Sequence, residues 1–423
     1  MPVERFDAEA WRHSQAARRR LDLSELAAER QAVAEICARV LAEGDAALRD
    51  LGKRFDRWAP GPDDSFEVPA IELEAATRRI GAGERDALKF AANRIAEFHE
   101  GQLERDRHSP TALELVTRPL QRVGVYAPGG RAPYPSTVLM TVIPARVAGV
   151  RDVALATPPR MDGSVSDAIL AAAHIAKVDR LYRVGGAQAV AAFAYGTESI
   201  PRVDLIAGPG NIYVTLAKKE VFGAVGVDGI AGPTEVVIVA DANARADFVA
   251  ADLAAQLEHD PLAIGVLFTD SSALIARVQE ELESLVRGLD RADIIRAARC
   301  FLVVTQDMQQ AVRLADEFAP EHLLVVADEA ESLAREISNA GAVFIGPYST
   351  VPLGDYVAGP NHTLPTSGSA RFASPLGVHT FLKRMSVLRL GRADVAALRD
   401  ATVRLAALEG LSGHAHAVEV RLE

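Results

Sequence analysis

Apolar residues along this chain follow two rhythms, and each rhythm predicts a different kind of element. In residues 24–57 and 71–107 they recur every three or four positions, the spacing that places them on one face of a helix. These segments predict two long amphipathic helices, separated by the turn-forming residues 61–64. The apolar stripes are marked by Leu26, Val33, Ile36, Val40 and Leu41 in the first segment and by Leu88, Ala91, Ile95 and Phe98 in the second.

From Arg122 onwards the rhythm changes to short apolar runs, each followed by a turn and a helix-like segment. This repeated order is typical of doubly wound parallel sheets, and a restart at Glu235 predicts two of them. The predicted strands are 122–127, 153–156, 181–184, the run that begins at 203, 235–241, 264–268, 300–304, 323–327 and 342–345. The helices predicted after the restart are 246–259, 272–287, 307–318 and 329–340.

The segment from Tyr348 to Ser374 interrupts this rhythm. It is rich in Gly, Pro, Ser and Thr, and it is longer than most connections that lack secondary structure. Long loops of this kind often carry function, so we expect a functional role here. A mixed tail with a last helix near 393–409 closes the chain.

Composition narrows the class of protein. The 423 residues are 49% hydrophobic and carry a formal charge of −11 without a long basic run, which argues against nucleic acid or an anionic membrane as the main partner. No apolar run is long enough to span a membrane, and the first residues lack the apolar core of a secretory signal. Cys37 and Cys300 lie far apart in apolar segments, as expected for two buried thiols in a reducing compartment. We therefore expect a soluble cytoplasmic protein.

One candidate metal site lies near the end of the predicted helix 246–259. Gln256 and His259 stand three residues apart, so on a helix they share one face. An amide oxygen and a neutral imidazole that converge in this way can hold a divalent metal, with the negative charges of Glu258 and Asp260 close by. Solvated or helix-capping residues would give the same spacing, so both interpretations stay open.

A second candidate is a carboxylate beside an imidazole. Glu321 and His322 directly precede a predicted strand, where a turn can direct both side chains into one pocket. An imidazole suits general-base catalysis, and a nearby carboxylate can activate water or hold the histidine tautomer. A capped helix exit is the alternative. Asp355 and His362 in the long loop, and His414 near the end of the chain, are further candidates or scattered surface residues.

Three glycine-rich turns follow predicted strands at 128–130, 185–188 and 208–211. Such turns let a ligand approach the backbone at the carboxyl ends of parallel strands. The chain has no G-x-G-x-x-G, P-loop, nucleophile elbow or paired C-x-x-C motif, so a standard pyrophosphate-binding turn is not indicated. Cys37 and Cys300 look like packing residues, which argues against a cysteine-based aldehyde dehydrogenase mechanism.

Taken in order, these motifs resemble the histidinol dehydrogenase family over nearly the whole chain. The ordered set is specific although no single motif decides it. The motifs are Val123-Gly-Val-Tyr-Ala-Pro-Gly-Gly, Tyr134-Pro-Ser-Thr-Val-Leu-Met, Gly185-Gly-Ala-Gln-Ala, Ala207-Gly-Pro-Gly-Asn, Ala231-Gly-Pro-Thr-Glu-Val, Gln256-Leu-Glu-His-Asp, Ala319-Pro-Glu-His-Leu, Gly354-Asp-Tyr, Gly359-Pro-Asn-His-Thr-Leu-Pro-Thr and Glu409-Gly-Leu-Ser-Gly-His.

The resemblance implies an α/β fold of two incomplete Rossmann-like, doubly wound domains (aldehyde-dehydrogenase-like) with small N- and C-terminal tail segments. It implies an N-terminal tail at 1–22 and an NAD-binding domain at 126–235. Residues 23–125 and 236–378 would form a discontinuous α/β domain with most of the metal and catalytic site. The tail at 379–423 would contribute to the site of a partner subunit.

The resemblance also implies an activity and its cofactors. Family members oxidise L-histidinol through L-histidinaldehyde to L-histidine, the last steps of histidine biosynthesis, with NAD and one zinc ion per subunit. By resemblance, Gln256, His259, Asp355 and His414 are the protein zinc ligands. A nitrogen and oxygen set of this kind suits zinc but would also admit manganese or cobalt.

Residue roles follow from the same resemblance, with His322 as general base and Glu321 as the residue that activates water. The substrate-binding residues would be Thr234, Gln256, His259, His322, Asp355, Glu409 and His414, with help from His362, and the NAD-contacting residues Tyr126, Gln188 and Asn211. No role carries over to His379 or His416, which we interpret as surface residues. A homodimer with shared sites is expected.

Two other functions stay open. A paralogue on the same scaffold could oxidise another amino alcohol or a diol, such as a sulfonated diol. A non-catalytic metal- or nucleotide-binding protein is the alternative from another class.

Overall fold

The computed structural model describes residues 3–14, 26–62, 64–103, 107–108, 113–129 and 133–423. The chain divides into two compact units, of which the first comprises Met1–Leu103 and Leu120–Phe381 and the second Glu104–Pro119 and Leu382–Glu423. The strands of the described residues are β1 (Val3–Asp7), β2 (Glu67–Val68), β3 (Arg107–His108), β4 (Leu113–Pro119), β5 (Arg122–Tyr126), β6 (Asp152–Thr157), β7 (Arg180–Arg183), β8 (Leu205–Ala207), β9 (Gly226–Val227), β10 (Glu235–Ala240), β11 (Ile264–Thr269), β12 (Arg299–Val304), β13 (His322–Val326), β14 (Ala342–Ile345) and β15 (Leu382–Leu388).

Helices alternate with these strands through most of the first unit. The helices are α1 (Ala8–His13), α2 (Ala27–Glu43), α3 (Asp45–Phe55), α4 (Ala70–Arg79), α5 (Ala82–Glu100), α6 (Pro135–Val147), α7 (Asp167–Ile175), α8 (Gly186–Tyr195), α9 (Ile212–Val221), α10 (Ala246–Leu257), α11 (Ser272–Val286), α12 (Ala292–Ala297), α13 (Met308–Phe318), α14 (Ala330–Ala334), α15 (Val351–Tyr356), α16 (Arg392–Leu408) and α17 (Ser412–Glu419). Two short 3₁₀ turns lie at Ser369–Arg371 and Val378–Phe381.

The first unit contains two six-stranded sheets, as the sequence predicts. Sheet I has the order β2-β7-β6-β5-β8-β9, and sheet II has the order β1-β12-β11-β10-β13-β14. All neighbouring strands are parallel except β2 and β7. In each sheet the strand order reverses at one point, between β5 and β8 in sheet I and between β10 and β13 in sheet II. These points are the topological switch points of two doubly wound sheets. The predicted α/β fold class is confirmed.

Sheet II is covered on both faces, and its strands show why. β10 reads EVVIVA and β11 reads IGVLFT, near-continuous apolar runs that are typical of parallel strands buried on both sides. Alternate residues of β10 enter different clusters: Ile238 lies with Leu253 of α10, and Val237 lies with Trp11 of α1. The N-terminal segment that the sequence assigns to a tail thus supplies an edge strand and a buried indole to this sheet.

Sheet I is packed against the first amphipathic segment. That segment is not one helix but two, because Gly44 adopts a φ of 55° and ends α2 before α3 begins. Val33 of α2 and Leu48 of α3 share a buried cluster with Val190 of α8. These helices therefore pack with sheet I, whereas the sequence groups them with the discontinuous domain. The predicted domain limits as a whole stay a prediction.

The long segment after Tyr348 is not without structure, in contrast to the prediction. It contains α15, in which Pro352 occupies the first turn, where its missing N–H is tolerated. Within the described residues, no helix is long and apolar enough to cross a bilayer.

The second unit has its own small sheet of antiparallel strands in the order β15-β4-β3. Helices α16 and α17 follow it, and Arg399 of α16 donates to the Glu419 carboxylate of α17 at 2.8 Å. β15 and α17 lie in the tail that the sequence predicts to be mixed. Several large apolar side chains of α16 are exposed, among them Leu405 and Leu408.

Candidate active site

The predicted acid–base pair lies at the amino ends of two adjacent strands. Val236 of β10 is in register with His322, the first residue of β13. Parallel pairing therefore brings Thr234 and Glu235 beside Glu321 and His322. The chain reaches this point through a turn at Ala319, whose φ of 54° is unusual for a residue with a Cβ.

Glu321 is held by two donors on one carboxylate oxygen. The Thr234 hydroxyl donates to Oε2 at 2.5 Å, and the Glu235 N–H donates to the same atom at 2.8 Å. Glu321 is only 7% exposed, and this burial raises the pKa of its carboxyl group against the opposing effects of His322 and the two donors. Such a carboxylate is poised to accept a proton more readily than one in water.

The tautomer of His322 follows from its partners. Its Nδ1 lies 3.2 Å from the Glu235 carbonyl oxygen, which can only accept, so Nδ1 carries the proton. Its Nε2 is buried without a hydrogen-bond partner and lies 3.5 Å from Oδ1 of Asp355. Burial lowers the pKa of His322, but the carboxylates of Glu321 and Asp355 outweigh it and raise the pKa to about 9.

Asp355 lies near the end of α15 and connects His322 to two more histidines. Burial disfavours its ionised form, yet His322, His362 and His259 hold the pKa of Asp355 below its ordinary value. Its backbone carbonyl lies 2.9 Å from Nδ1 of His362, whose Nε2 is 3.3 Å from the Thr137 hydroxyl. Burial also lowers the pKa of His362, which favours its neutral ring.

Gln256 and His259 lie at the end of α10, which stops at Leu257 rather than at His259 as predicted. Gln256 Nε2 donates to the Thr234 hydroxyl oxygen, and its amide oxygen Oε1 is buried without a partner. His259 is half-buried just beyond the helix, and its N–H donates to the Gln256 carbonyl oxygen at 3.3 Å.

Gln256, His259 and Asp355 carry side-chain groups that can bind a metal ion, although these three residues do not form a complete site by themselves. An unpartnered buried amide oxygen, an imidazole and a carboxylate with a lowered pKa are all suitable ligands for zinc. Among the residues that the structure describes, no group of three or more His, Cys, Asp or Glu side chains could hold a metal. The fourth predicted ligand, His414, belongs to the second unit, where it and Glu409 are exposed.

The predicted NAD residues follow the carboxyl ends of sheet I. Tyr126 ends β5, and its hydroxyl oxygen accepts from the Gly186 N–H at 3.1 Å. Burial raises the pKa of Tyr126 to about 12, so the phenol is neutral. Gln188 is buried in the first turn of α8. Asn211 is exposed and caps α9 through its Oδ1, a structural role that leaves its amide NH₂ available to a ligand.

Comparison with known proteins agrees with this arrangement. A family model described as histidinol dehydrogenase matches residues 18–422. The chain belongs to the histidinol dehydrogenase family. It is 47% identical over 386 residues to the histidinol dehydrogenase of Parasynechococcus marenigrum, covering 90% of this chain and 88% of that one. For the Aquifex aeolicus histidinol dehydrogenase the identity is 48% over 399 residues, with 92% of each chain covered.

A solved structure gives the same relationship. The histidinol dehydrogenase of Elizabethkingia anophelis superposes with a TM-score of 0.90 at 32% identity, over 100% of this chain and 98% of that one. Membership of the histidinol dehydrogenase family makes the chain an oxidoreductase.

Within this family member, the first unit brings together the predicted residues Thr234, Gln256, Glu321, His322 and Asp355 by direct contacts. Their roles stay predictions. The two cysteines are buried, and burial raises the pKa of each thiol to about 12, so a thiolate mechanism is disfavoured as expected.

The sequence missed two residues beside these groups. Glu235 serves both Glu321 and His322 through its backbone, which no side-chain motif would reveal. Asp56, at the end of α3, accepts from Gln188 Nε2 at 3.4 Å. Burial raises the pKa of Asp56 to about 6, against hydrogen bonds from Gly185 and Gln188. Its only signal in the sequence is a polar residue at a helix end.

Proposed function

We propose that the chain is a zinc- and NAD-dependent histidinol dehydrogenase that oxidises L-histidinol through L-histidinaldehyde to L-histidine. The observation that carries this proposal is the buried His322, whose ring lies between the carboxylates of Glu321, near Nδ1, and Asp355, near Nε2, and whose Nε2 has no hydrogen-bond partner. Each of the two steps transfers a hydride to one NAD⁺. The first releases one proton, and the second consumes one water and releases two protons because its product is a carboxylate. The reaction therefore needs both a base for the alcohol and a group that activates water.

His322 would take the hydroxyl proton of the alcohol at Nε2. Since Nδ1–H donates to the Glu235 carbonyl, the neutral ring has the tautomer that presents a lone pair at Nε2. The neighbouring carboxylates of Glu321 and Asp355 would stabilise the imidazolium that forms. A pKa of about 9 keeps the ring protonated near neutrality, so a cation paired with Asp355 would favour the basic form by cancelling one of these carboxylates.

Glu321 would activate the water that hydrates the aldehyde. Its raised pKa, caused first by burial, suits a group that must take a proton from water. The Thr234 hydroxyl and the Glu235 N–H orient the carboxylate by holding one oxygen. His322 would then take a proton from the hydrated aldehyde as it does from the alcohol.

Gln256, His259 and Asp355 would hold the metal in one subunit, with His414 supplied by the tail of a partner in a homodimer. When bound, zinc would hold the imidazole and amino nitrogens of histidinol, and NAD would accept the hydride. An anchored aldehyde would remain in place between the two oxidations. The exposed position of His414 and Glu409 in a unit with exposed apolar side chains supports a dimer. The same ligand set would also admit manganese or cobalt.

Thr234, Glu409 and His362 would enclose the substrate alongside these ligands. Tyr126, Gln188 and Asn211 would contact NAD, at the switch point of sheet I where dinucleotides bind in related architectures. The cytoplasmic location expected from the sequence is part of this proposal, as a biosynthetic enzyme would require.

The deciding experiment is an assay with purified protein of known metal content. We expect two NADH for each histidine formed, loss of activity with a chelator, and recovery with Zn²⁺. A comparison of kcat/KM for histidinol, other amino alcohols and a sulfonated diol separates the proposal from a paralogous activity. Protein with full metal occupancy that oxidises none of them would contradict the proposal.

A further inference from the structure

A polar contact outside the proposed catalytic groups joins the two helices that carry the metal ligands. The Thr350 hydroxyl donates to Oδ1 of Asp252, which links the start of α15 to the middle of α10. Gln256 lies on α10 and Asp355 on α15. Asp252 and Thr350 have no part in the chemistry proposed above, so the reason for their contact must lie elsewhere.

Thr350 does not do what a threonine at its position ordinarily does. It is the N-cap residue of α15, with extended backbone angles of −77° and 145°. An N-cap hydroxyl typically accepts from an N–H of the first helical turn, but the Thr350 hydroxyl makes no such bond. It donates instead to a carboxylate on another helix.

Asp252 is equally unusual for its position. Aspartate is a poor helix former, and charged side chains are rarely buried, yet Asp252 lies inside α10 and is 9% exposed. Burial raises the pKa of its carboxyl group, and the bond from Thr350 opposes that effect. Both partners of this hydrogen bond therefore depart from the usual preferences of their residue types. Natural proteins keep such departures mainly at functional sites.

The contact lies close to the ligands along both helices. Gln256 follows Asp252 by four residues, so the two side chains lie on one face of α10, about one turn of ~5.4 Å apart. Asp355 lies in α15, five residues after the N-cap residue Thr350. Beside the contact, Val351 is buried in the apolar cluster that contains Leu253 of α10. A polar and an apolar contact thus fix where α15 begins relative to α10.

We propose that Asp252 and Thr350 form a positioning pair that sets the separation of the metal ligands Gln256 and Asp355. The inference rests on the proposed function, because it assumes that these two residues bind the metal. Helix α15 has only six residues and a glycine at 354, so its own structure holds Asp355 weakly. Without the pair, the two ligands would sample a wider range of distances and bind a metal less tightly.

The test measures zinc affinity in the full-length protein by competition with a chelator of known affinity. Thr350→Val keeps the shape of the side chain and removes the hydroxyl. We expect its Kd for zinc to rise by about 10–100-fold, the usual effect of losing a group that orients a ligand. Thr350→Ser restores the hydroxyl and should recover most of the affinity.

Thr363→Val is the matched control. Its hydroxyl is buried without a hydrogen-bond partner, so the same substitution there removes no contact and should leave zinc affinity unchanged. Thermal unfolding of the metal-free proteins shows whether Thr350→Val has lost general stability. The absorption spectrum of the cobalt-loaded protein gives a second readout, since a shift in its bands reports altered ligand geometry independently of turnover.

A double-mutant cycle with Asp252→Ala tests whether the two residues act together. The double variant should bind zinc no more weakly than either single variant. Wild-type affinity in Thr350→Val, or an equal loss in Thr363→Val, would overturn the positioning role while leaving the proposed function intact. A wild-type protein that binds no zinc would instead overturn the proposed function itself, so the two failures are distinguishable.

Discussion

The two sheets of the first unit present their candidate sites at opposite strand ends. In sheet I, the residues expected to contact NAD lie at the carboxyl ends of strands, in or beside glycine turns. In sheet II, Glu321 and His322 lie at the amino end of β13, where side chains contact one another and the backbone of Glu235. A dinucleotide is expected at the carboxyl ends of a doubly wound sheet, whereas proton transfer needs side chains held in fixed protonation states.

His322→Asn, at the amino-end site, should have the largest effect and tests whether proton transfer belongs to that strand end. An amide cannot accept a proton at the position of Nε2, so both oxidations should slow by about 10²–10⁴-fold, the usual contribution of a general base. Steady-state rates with histidinol and with histidinaldehyde measure the two steps separately. NAD affinity should be unchanged. Retention of either step at near wild-type rate would remove His322 from the role of base.

Glu321→Gln should separate the two steps. The glutamine fills the same space but cannot take a proton from water, so aldehyde oxidation should fall by about 10²-fold and alcohol oxidation by less than about tenfold. Accumulation of aldehyde during histidinol turnover is the measurement. Equal losses in both steps would assign Glu321 to the support of His322 alone.

Tyr126→Phe tests the carboxyl-end site with a smaller expected effect. It removes the hydroxyl oxygen that accepts from the Gly186 N–H, so the turn before α8 would have to be ordered when NAD binds, at a cost of about 1 kcal/mol, or roughly fivefold in affinity. The KM for NAD should rise by that factor while the KM for histidinol stays constant. A change confined to histidinol would break the assignment of the two strand ends to different ligands.

Asp56 should affect stability rather than turnover, and the effect should be visible in the pH dependence of unfolding. Its folded pKa of about 6 exceeds the ordinary value of 3.8, so its contribution is fully present below pH 3.8 and is lost as the pH rises through 6. Asp56→Asn cannot ionise, and its stability relative to wild type should therefore increase across that window. Chemical unfolding at several pH values measures the difference, and parallel curves would show that Asp56 is not held in a costly ionised state.

The parts of the fold that the sequence predicts well are those with a strong local signal. β10 and β11 are long apolar runs, as expected for strands of a parallel sheet covered by helices on both faces, and the fold class follows from them. Helix α15 was missed because its six residues, VPLGDY, contain a proline and a glycine and are too few to show a helical period. The break between α2 and α3 depends on the single backbone conformation of Gly44.

Contacts over long sequence separations could not be predicted in the same way. Glu321 and His322 are adjacent, so a shared pocket could be expected from the sequence. The hydrogen bonds from Thr350 to Asp252 and from Gln188 to Asp56 join residues that are 98 and 132 positions apart. Each residue alone is an ordinary polar side chain, and only the packing of the helices brings the partners together.

The contribution of Glu235 has a consequence for how this site tolerates mutation. Its N–H orients Glu321 and its carbonyl fixes the proton on His322, and both groups belong to the main chain. An alanine scan would leave these two bonds in place and register the loss of the side chain, whose carboxylate accepts from the Ser367 N–H. A side-chain substitution at position 235 can thus weaken the contact with Ser367 while the positions of Glu321 and His322 are kept by the backbone. The proposed catalytic arrangement should therefore tolerate side-chain changes at position 235, and a mild effect of such a change would not show that the backbone of this residue is unimportant.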